Sequence, residues 1–174
     1  MDLMIDIETL SAKPNAMILT IAAVAFDPYN KVNVSPEHSY YARVDLDSQK
    51  NRHEDENTLI WWSRQPKEAR EEAFNEEGRV PLSEALSELS KLMRKCNNVW
   101  AQGIAFDMNI LENAYEEVGS RHPWQFWNVL DCRTLLKLNP VRKLGNSHHA
   151  LEDCQNQIEM LQDTIKRLGI TKIG

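Results

Sequence analysis

The sequence has few features that could cross-link it or insert it into a membrane. Its 174 residues include three cysteines, and no two of them have the CxxC spacing of many metal and redox sites. The longest apolar run, residues 17–26, is about ten residues long and too short to span a bilayer. The first six residues include no basic side chain, so we expect no signal peptide. These absences predict reduced thiols in a cytoplasm-like compartment, where disulfides are rare.

An excess of positive charge is also missing. The chain has 20 Lys and Arg against 26 Asp and Glu, which gives a formal net charge of -6. This balance argues against a protein that binds nucleic acid through a broad basic face. It does not exclude a nuclease whose acidic residues hold metal ions, because bound cations invert the local field. Two divalent ions add four positive charges and would change -6 to -2.

Internal repeats, low-complexity segments and interdomain linkers are not found either. With 42% hydrophobic and 26% charged residues, the composition is close to the soluble globular average, which excludes disordered, collagen-like and coiled-coil chains. A chain of this length is large enough to bury a substantial core. We therefore expect residues 1–174 to form a single domain.

Hydrophobic patterning predicts an α/β fold. Three successive strands are expected first and suggest an antiparallel meander, at residues 3–7, 17–26 and 39–44. Two shorter strands are expected later, at 98–102 and 127–130. The helices are expected at residues 57–63, 66–74, 81–96, 105–118, 133–138 and from 147 or 148 to 168. This order predicts a mixed sheet flanked by helices.

Acidic residues lie at or beside the ends of several of these elements. Asp6 and Glu8 point to the same face of the first strand, because side chains alternate along a strand. Asp107 lies where a strand passes into a helix, and Asp153 lies near the start of the last helix. Taken singly, each has an ordinary structural explanation, as a solvated strand end or a helix cap.

The combination of these carboxylates with a histidine is more specific. His148 precedes Asp153 by five residues, and from a loop before the helix it could reach the face that Asp153 presents. Mg²⁺ prefers oxygen ligands, so several carboxylates without a thiolate suit it. Two such ions about 4 Å apart would stabilise both the attacking and the leaving oxygen of a phosphodiester cleavage. His148 is then the expected general base.

Three segments carry a resemblance to a known family: residues 4–9, 103–107 and 148–153, which read MIDIET, GIAFD and HHALED. Together they resemble the three motifs of the DEDDh 3′→5′ exonucleases, a superfamily that includes RNase T and polymerase proofreading subunits. The similarity to phage DexA-type and RNase T-like enzymes extends through residues 60–70 and 126–134 and covers roughly residues 3–165. It implies an RNase H-like fold with a mixed five-stranded sheet, antiparallel in its first three strands and parallel thereafter.

The resemblance also implies roles for individual residues. The metal ligands are expected to be Asp6, Glu8, Asp107 and Asp153, holding two Mg²⁺ ions for which Mn²⁺ substitutes. His148 is expected to be the base, and its neighbour His149 has a spacing to Asp153 that is one residue short. Thr9 and Leu10 are expected to meet the terminal nucleotide, through backbone contacts and an apolar wedge. Asp131 is expected to support the site without touching metal.

Two adjacent tryptophans, Trp61 and Trp62, are candidates for stacking on a base. Adjacent residues on a helix point about 100° apart, so at most one should contact the substrate while the other packs inward; the alternative is that both lie in the core. Several basic residues could touch phosphates: Arg64, Lys67, Arg70, Arg142 and Lys143. A solvated charged face is the simpler account of the first three, and the last two are better placed in the loop before His148.

These observations predict a metal-dependent 3′→5′ exonuclease that releases nucleoside 5′-monophosphates from single-stranded 3′ ends. Two alternatives remain: a two-metal phosphohydrolase of nucleotides or small phosphodiesters, and a non-catalytic nucleic-acid-binding member of the fold. The choice between RNA and DNA stays open, because it depends on contacts to a single 2′-hydroxyl. The resemblance further suggests a homodimer in the cytoplasm of a bacterium or a phage-infected host.

Overall fold

A five-stranded mixed sheet forms the centre of the molecule. The computed structural model describes residues 1–31, 36–138 and 147–173. The strands are β1 (Asp2–Thr9), β2 (Ile18–Phe26), β3 (Ser39–Arg43), β4 (Val99–Ala101) and β5 (Val129–Asp131). Their order in the sheet is β3-β2-β1-β4-β5. The first three strands pair antiparallel, whereas β4 pairs parallel with both β1 and β5, so the predicted sheet is confirmed.

Six helices flank this sheet within the described residues. They are α1 (Glu56–Ser63), α2 (Lys67–Ala73), α3 (Leu82–Met93), α4 (Ile104–Glu117), α5 (Cys132–Leu138) and α6 (Ala150–Leu168). No helix among residues 1–31, 36–138 and 147–173 combines the length and the apolar character that crossing a membrane requires.

The alternation of side chains along β1 decides which face of the sheet becomes the site. Leu3 and Ile5 pack with α3 and α4 in one core cluster. Met4 belongs to a second cluster on the opposite face, which α6 covers with residues such as Cys154 and Ile158. Because side chains alternate with a period of two, Asp6 and Glu8 share the face of Met4 and lie toward α6.

A third, smaller cluster packs α1 and α2 against the chain that follows β1. It contains Leu10, Met17, Leu19 and Trp62, all buried. Nearby, the buried Arg52 connects this segment to α4. Its guanidinium donates to the Ala16 carbonyl at 2.7 Å, and it forms an ion pair of 2.9 Å with Glu117 of α4. The segment that follows Glu8 is therefore held both by the third cluster and by the contacts of Arg52.

Most element boundaries differ from the sequence-based expectation by one to three residues, and two of these differences have a clear structural cause. The last strand begins at Val129 rather than at residue 127, because Phe126 and Trp127 lie in a short 3₁₀ turn with exposed side chains. The last helix begins at Ala150 rather than at 147 or 148. Residues 147 and 148 instead donate their backbone N–H groups to the Asp153 carboxylate, which holds them outside the helix. The loop expected at 140–146 lies outside the described residues.

Candidate active site

The first part of the site comes from the end of β1. Asp6 and Glu8 project from its α6-facing side and are partly exposed. Asp6 is held from above by α6, because the Gln157 side-chain amide donates to Asp6 Oδ1 at 2.8 Å. Gln157 lies four residues after Asp153, so both side chains occupy the same face of α6. The strand end and the helix thus share one polar cleft.

Asp107 reaches this cleft from the opposite direction, in the first turn of α4. Its carboxylate is 5% exposed, and Oδ1 accepts the backbone N–H of Ile7 at 3.3 Å. Ile7 separates Asp6 from Glu8, so this bond holds Asp107 against the strand that carries both. The parallel pairing of β1 with β4 makes the contact possible, because it brings the carboxyl ends of the two strands to one edge.

The turn between β4 and α4 needs a glycine at position 103. Gly103 has a φ of 108°, a conformation that side-chain-bearing residues rarely adopt. A Cβ there would also lie 3.0 Å from the Arg133 guanidinium, which donates to the Gln102 carbonyl at 2.6 Å. Asp131 Oδ1 accepts the Gly103 N–H at 3.1 Å. Asp131 and Arg133 therefore hold the turn that aims Asp107 at the cleft.

Asp153 and His148 complete the site from the start of α6. Asp153 is buried, and its carboxylate accepts backbone N–H groups of Ser147 at 2.9 Å and His148 at 3.1 Å. His148 has a φ of 54°, in the left-handed region that non-glycine residues seldom occupy. Strained backbone of this kind is concentrated at functional sites. The strain is balanced by the hydrogen bonds that the backbone N–H groups of Ser147 and His148 donate to the Asp153 carboxylate.

The described residues converge on a potential metal site. One ligand atom each from Glu8, His148 and Asp153 lies within 4.8 Å of the others. Asp6 and Asp107 adjoin this group, because the charges of Asp107, Glu8 and Asp153 raise the pKa of Asp6 and the charge of Asp107 raises the pKa of Glu8. Crowded carboxylates in a partly buried cleft repel one another, and a divalent cation relieves that repulsion. An oxygen-rich donor set without thiolate suits Mg²⁺ or Mn²⁺.

The pKa values of three of these carboxyl groups are raised. Burial raises the pKa of Asp6 well above its usual range, together with the charges of Asp107 and Glu8 and against the Gln157 hydrogen bond. Burial also raises the pKa of Glu8 to about 8, with contributions from Asp153 and Asp107. For Asp107, burial raises the pKa to about 7, opposed by the Ile7 hydrogen bond and the Arg133 charge.

These shifts predict how the stability of the metal-free protein depends on pH. Glu8 holds its proton up to about pH 8 in the folded state but only to about pH 4.5 when unfolded, so the folded state binds more protons in between. The stability that Glu8 contributes is therefore present below pH 4.5 and lost as pH rises through 8. We expect the melting temperature in chelator to fall between pH 5 and pH 8, and added Mg²⁺ to raise it most at pH 8.

Thermal melts of two variants isolate the contribution of the site. Glu8→Gln is expected to flatten the pH dependence in chelator, because the amide cannot ionise. Glu159→Gln removes the same charge from an exposed position of α6 and is expected to keep the wild-type slope. If the melting temperature of Glu8→Gln depended on pH as steeply as that of the wild-type protein, the assignment of this pH dependence to Glu8 would be contradicted.

The two adjacent tryptophans have different environments. Trp62 is 2% exposed, packs in the third cluster and donates its indole N–H to the Thr9 carbonyl at 3.0 Å. Trp61 is 42% exposed, and its ring centroid lies 4.9 Å from that of His148 in an edge-to-face arrangement. The side chain available for stacking at the cleft is therefore that of Trp61. This difference between neighbours matches the 100° turn between adjacent helical residues.

Leu10 is placed differently from the expectation of an apolar wedge. Its side chain is 3% exposed and packs against Met17, Leu19 and Trp62, so in this conformation it does not project into the cleft. The cause is the small core under α1 and α2, which needs an aliphatic residue at this position. Thr9 is also buried, and its hydroxyl donates to the Ser11 carbonyl at 2.7 Å. In this conformation both residues offer the cleft their backbone groups rather than their side chains.

Of the basic candidates, three lie on the surface formed by α1 and α2. Arg64, Lys67 and Arg70 are all exposed. Arg142 and Lys143 lie outside the described residues. Gln157 and Arg133 were not among the candidates from the sequence, although both contact groups of the site. The spacing of Gln157 to Asp153, four residues on a predicted helix, was the one available signal for it.

Comparisons with known proteins agree with this arrangement. Residues 1–165 match the family model described as a 3′-5′ exoribonuclease Rv2179c-like domain. A curated relative, an exodeoxyribonuclease of Enterobacteria phage T4, is 24% identical over 202 residues, with 95% of this chain and 89% of the relative covered.

Solved structures share the fold at low sequence identity. The zinc-bound E. coli ExoI–ssDNA complex has a TM-score of 0.65 at 13% identity, covering 97% of this chain and 41% of its own. Pop2p of S. pombe, in a Mg²⁺- and Mn²⁺-bound form, has a TM-score of 0.66 at 11% identity, covering 99% of this chain and 86% of its own. The nuclease domain of 3′hExo, a DEDDh family member bound to rAMP, has a TM-score of 0.61 at 12% identity, covering 95% and 92%.

The chain spans less than half the length of ExoI, so that likeness concerns the fold of one part of the larger enzyme. The family model, in contrast, spans nearly the whole chain, including all four carboxylates and the histidine. The chain therefore belongs to the family of 3′-5′ exoribonuclease Rv2179c-like domains.

Proposed function

We propose that this protein removes nucleoside 5′-monophosphates one at a time from the 3′ end of single-stranded RNA or DNA. The observation that carries the proposal is the convergence of Glu8, Asp153 and His148, whose ligand atoms lie within 4.8 Å of one another beside Asp6 and Asp107. Four carboxylates and one histidine in a cleft are the groups that hydrolysis of a phosphodiester with divalent cations requires.

The residues that would hold two Mg²⁺ ions, with Mn²⁺ as a substitute, are Asp6, Glu8, Asp107 and Asp153. When bound, the ions supply positive charge for the phosphate oxygens and lower the pKa of the attacking water. The fit is supported by the raised pKa values of Asp6, Glu8 and Asp107, because burial disfavours the ionised forms of all three and a divalent cation would stabilise them. Gln157 holds Asp6 in place through the 2.8 Å hydrogen bond.

His148 is proposed to take the proton from the attacking water. A new bond forms between the water oxygen and phosphorus, and the bond between phosphorus and the 3′-oxygen of the preceding nucleotide breaks. Asp153 positions the histidine through the backbone N–H of His148, and the Trp61 ring limits its rotation from one side. His149 is less suited to the role, because its ring stacks on Tyr41 at a centroid distance of 5.2 Å.

Trp61 is proposed to contact the terminal nucleotide. Its exposed indole lies beside the His148 ring, and stacking on an indole accepts any base. The names of the relatives support both sugars, because the family model is described as an exoribonuclease and the phage T4 relative is an exodeoxyribonuclease. We therefore propose single-stranded substrates of either kind. A homodimer, a single domain over residues 1–174 and a cytoplasmic location remain predictions.

A gel time course tests the proposal directly. Single-stranded RNA and DNA of identical sequence, labelled at the 5′ end, are incubated with Mg²⁺, Mn²⁺ or chelator. A ladder that shortens from the 3′ end only when metal is present is the expected result, and the relative rates give the preferred sugar. No ladder on either polymer with any metal contradicts the proposal. Hydrolysis of mononucleotides or small phosphodiesters in that case would favour the alternative phosphohydrolase.

A further inference from the structure

A cavity of about 690 Å³ lies between α1 and α2, outside the carboxylate cleft. The residues that line it recur every three or four positions along each helix and so lie on one side of it. On α1 they include Leu59 and Trp62, three residues apart, and on α2 and its end they are Lys67, Arg70 and Phe74. One face of each helix therefore forms the cavity, whose volume is typical of sites for small organic ligands.

The chemistry of the cavity combines apolar rings with positive charge. Leu59, Trp62 and Phe74 supply the apolar wall, and the two aromatic rings meet edge to face at a centroid distance of 5.6 Å. Lys67 is paired with Glu71 at 3.2 Å, but Arg70 forms no ion pair with another described residue and is exposed. An unpaired guanidinium beside aromatic surface is suited to a ligand with a phosphate and a planar ring.

The position of the cavity relates it to the candidate active site. Trp62 is the shared wall: its ring lines the cavity, lies 6.3 Å from the His148 ring by centroids, and donates to the Thr9 carbonyl next to Glu8. The cavity and the carboxylate cleft are therefore neighbours, separated by the buried Trp62 indole. The cavity also carries a net positive charge on a chain whose net charge is -6.

We propose that this cavity is a nucleotide-binding subsite for the substrate strand on the 5′ side of the scissile bond. The base contacts the exposed Leu59 and the half-buried Phe74, and Arg70 binds its phosphate. The subsite rests on the proposed function, because its ligand is the strand being degraded. It provides the strand with a local cationic contact on a chain whose net charge is -6.

The test compares Arg70→Ala with Arg167→Ala. Arg167 is exposed in the last turn of α6, about 25 Å along that helix from its start at the site, so the control removes the same charge elsewhere. Two substrates are used: a single-stranded octanucleotide, and the p-nitrophenyl ester of thymidine 5′-monophosphate, which has no nucleotide on the 5′ side. For Arg70→Ala we expect KM to rise about tenfold on the octanucleotide with kcat retained, and the ester to be hydrolysed at the wild-type rate.

A second variant, Ser63→Trp, fills the cavity from its rim. Ser63 is exposed, and its hydroxyl bonds only within α1, so melting temperature is expected to stay near that of the wild type. It should raise KM on the octanucleotide as Arg70→Ala does. Arg70→Ala kinetics equal to those of Arg167→Ala, or equal losses on octanucleotide and ester, would overturn the subsite alone. Failure of the wild-type protein to degrade any oligonucleotide would overturn the proposed function, and the subsite with it.

Discussion

Asp107→Asn is expected to lower kcat by about a thousandfold or more, because it removes one of the four charges proposed to hold the metal ions. A loss of about 4 kcal/mol in transition-state stabilisation corresponds to this factor. The asparagine keeps an oxygen that can accept the Ile7 N–H, so the contact between α4 and β1 is retained. Steady-state kinetics on a single-stranded oligonucleotide measures the loss, and calorimetric titration with Mn²⁺ measures the weakened binding of metal.

The fold of this variant is expected to survive, and the raised pKa of Asp107 gives the reason. In the absence of metal the carboxylate is costly near and above pH 7, so a neutral amide should leave the melting temperature in chelator unchanged or higher. Asp163→Asn is the matched control, since that aspartate is half exposed on the same molecule and lies 3.9 Å from Lys31. Wild-type turnover by Asp107→Asn would refute the ligand assignment.

His148→Ala is expected to lower kcat by about a hundredfold to ten-thousandfold, the range that general-base catalysis contributes. The ligand carboxylates remain, so KM for the oligonucleotide should change little. Alanine is a poor fit to the left-handed φ of 54°, so His148→Asn, which tolerates this conformation better, is the second variant to test.

His149→Ala is the control for His148→Ala, because His149 is the next residue in the chain. Its ring stacks on Tyr41, so removing it should change kcat by less than about threefold if its role is packing. A loss at His149 equal to or greater than that at His148 would reverse the assignment of the base. The pair of variants thus separates two histidines that sequence spacing alone distinguishes by one position.

Much of the architecture could be predicted because local patterns and tertiary contacts agree. The run at β2 is apolar except for Thr20, which is typical of a strand covered on both faces, and all of its residues are buried. The prediction was less accurate at β5, where Phe126 and Trp127 look like strand residues but are exposed. The pairing partner decides that boundary, since β5 follows β4 from Val99 to Ala101.

The amino-acid sequence by itself determined the order of strands and helices, because hydrophobic periodicity is a property of the chain. It also identified the four carboxylates and the histidine as candidate site residues, because their spacing and motifs can be read from the chain. Only the tertiary structure decided which tryptophan lies beside His148, that Leu10 is buried, and that Gln157 and Arg133 support the site. It also revealed the cavity between α1 and α2. The physical reason is that burial and hydrogen bonding depend on residues up to 151 positions apart in sequence, whose proximity arises only when the sheet and helices have packed.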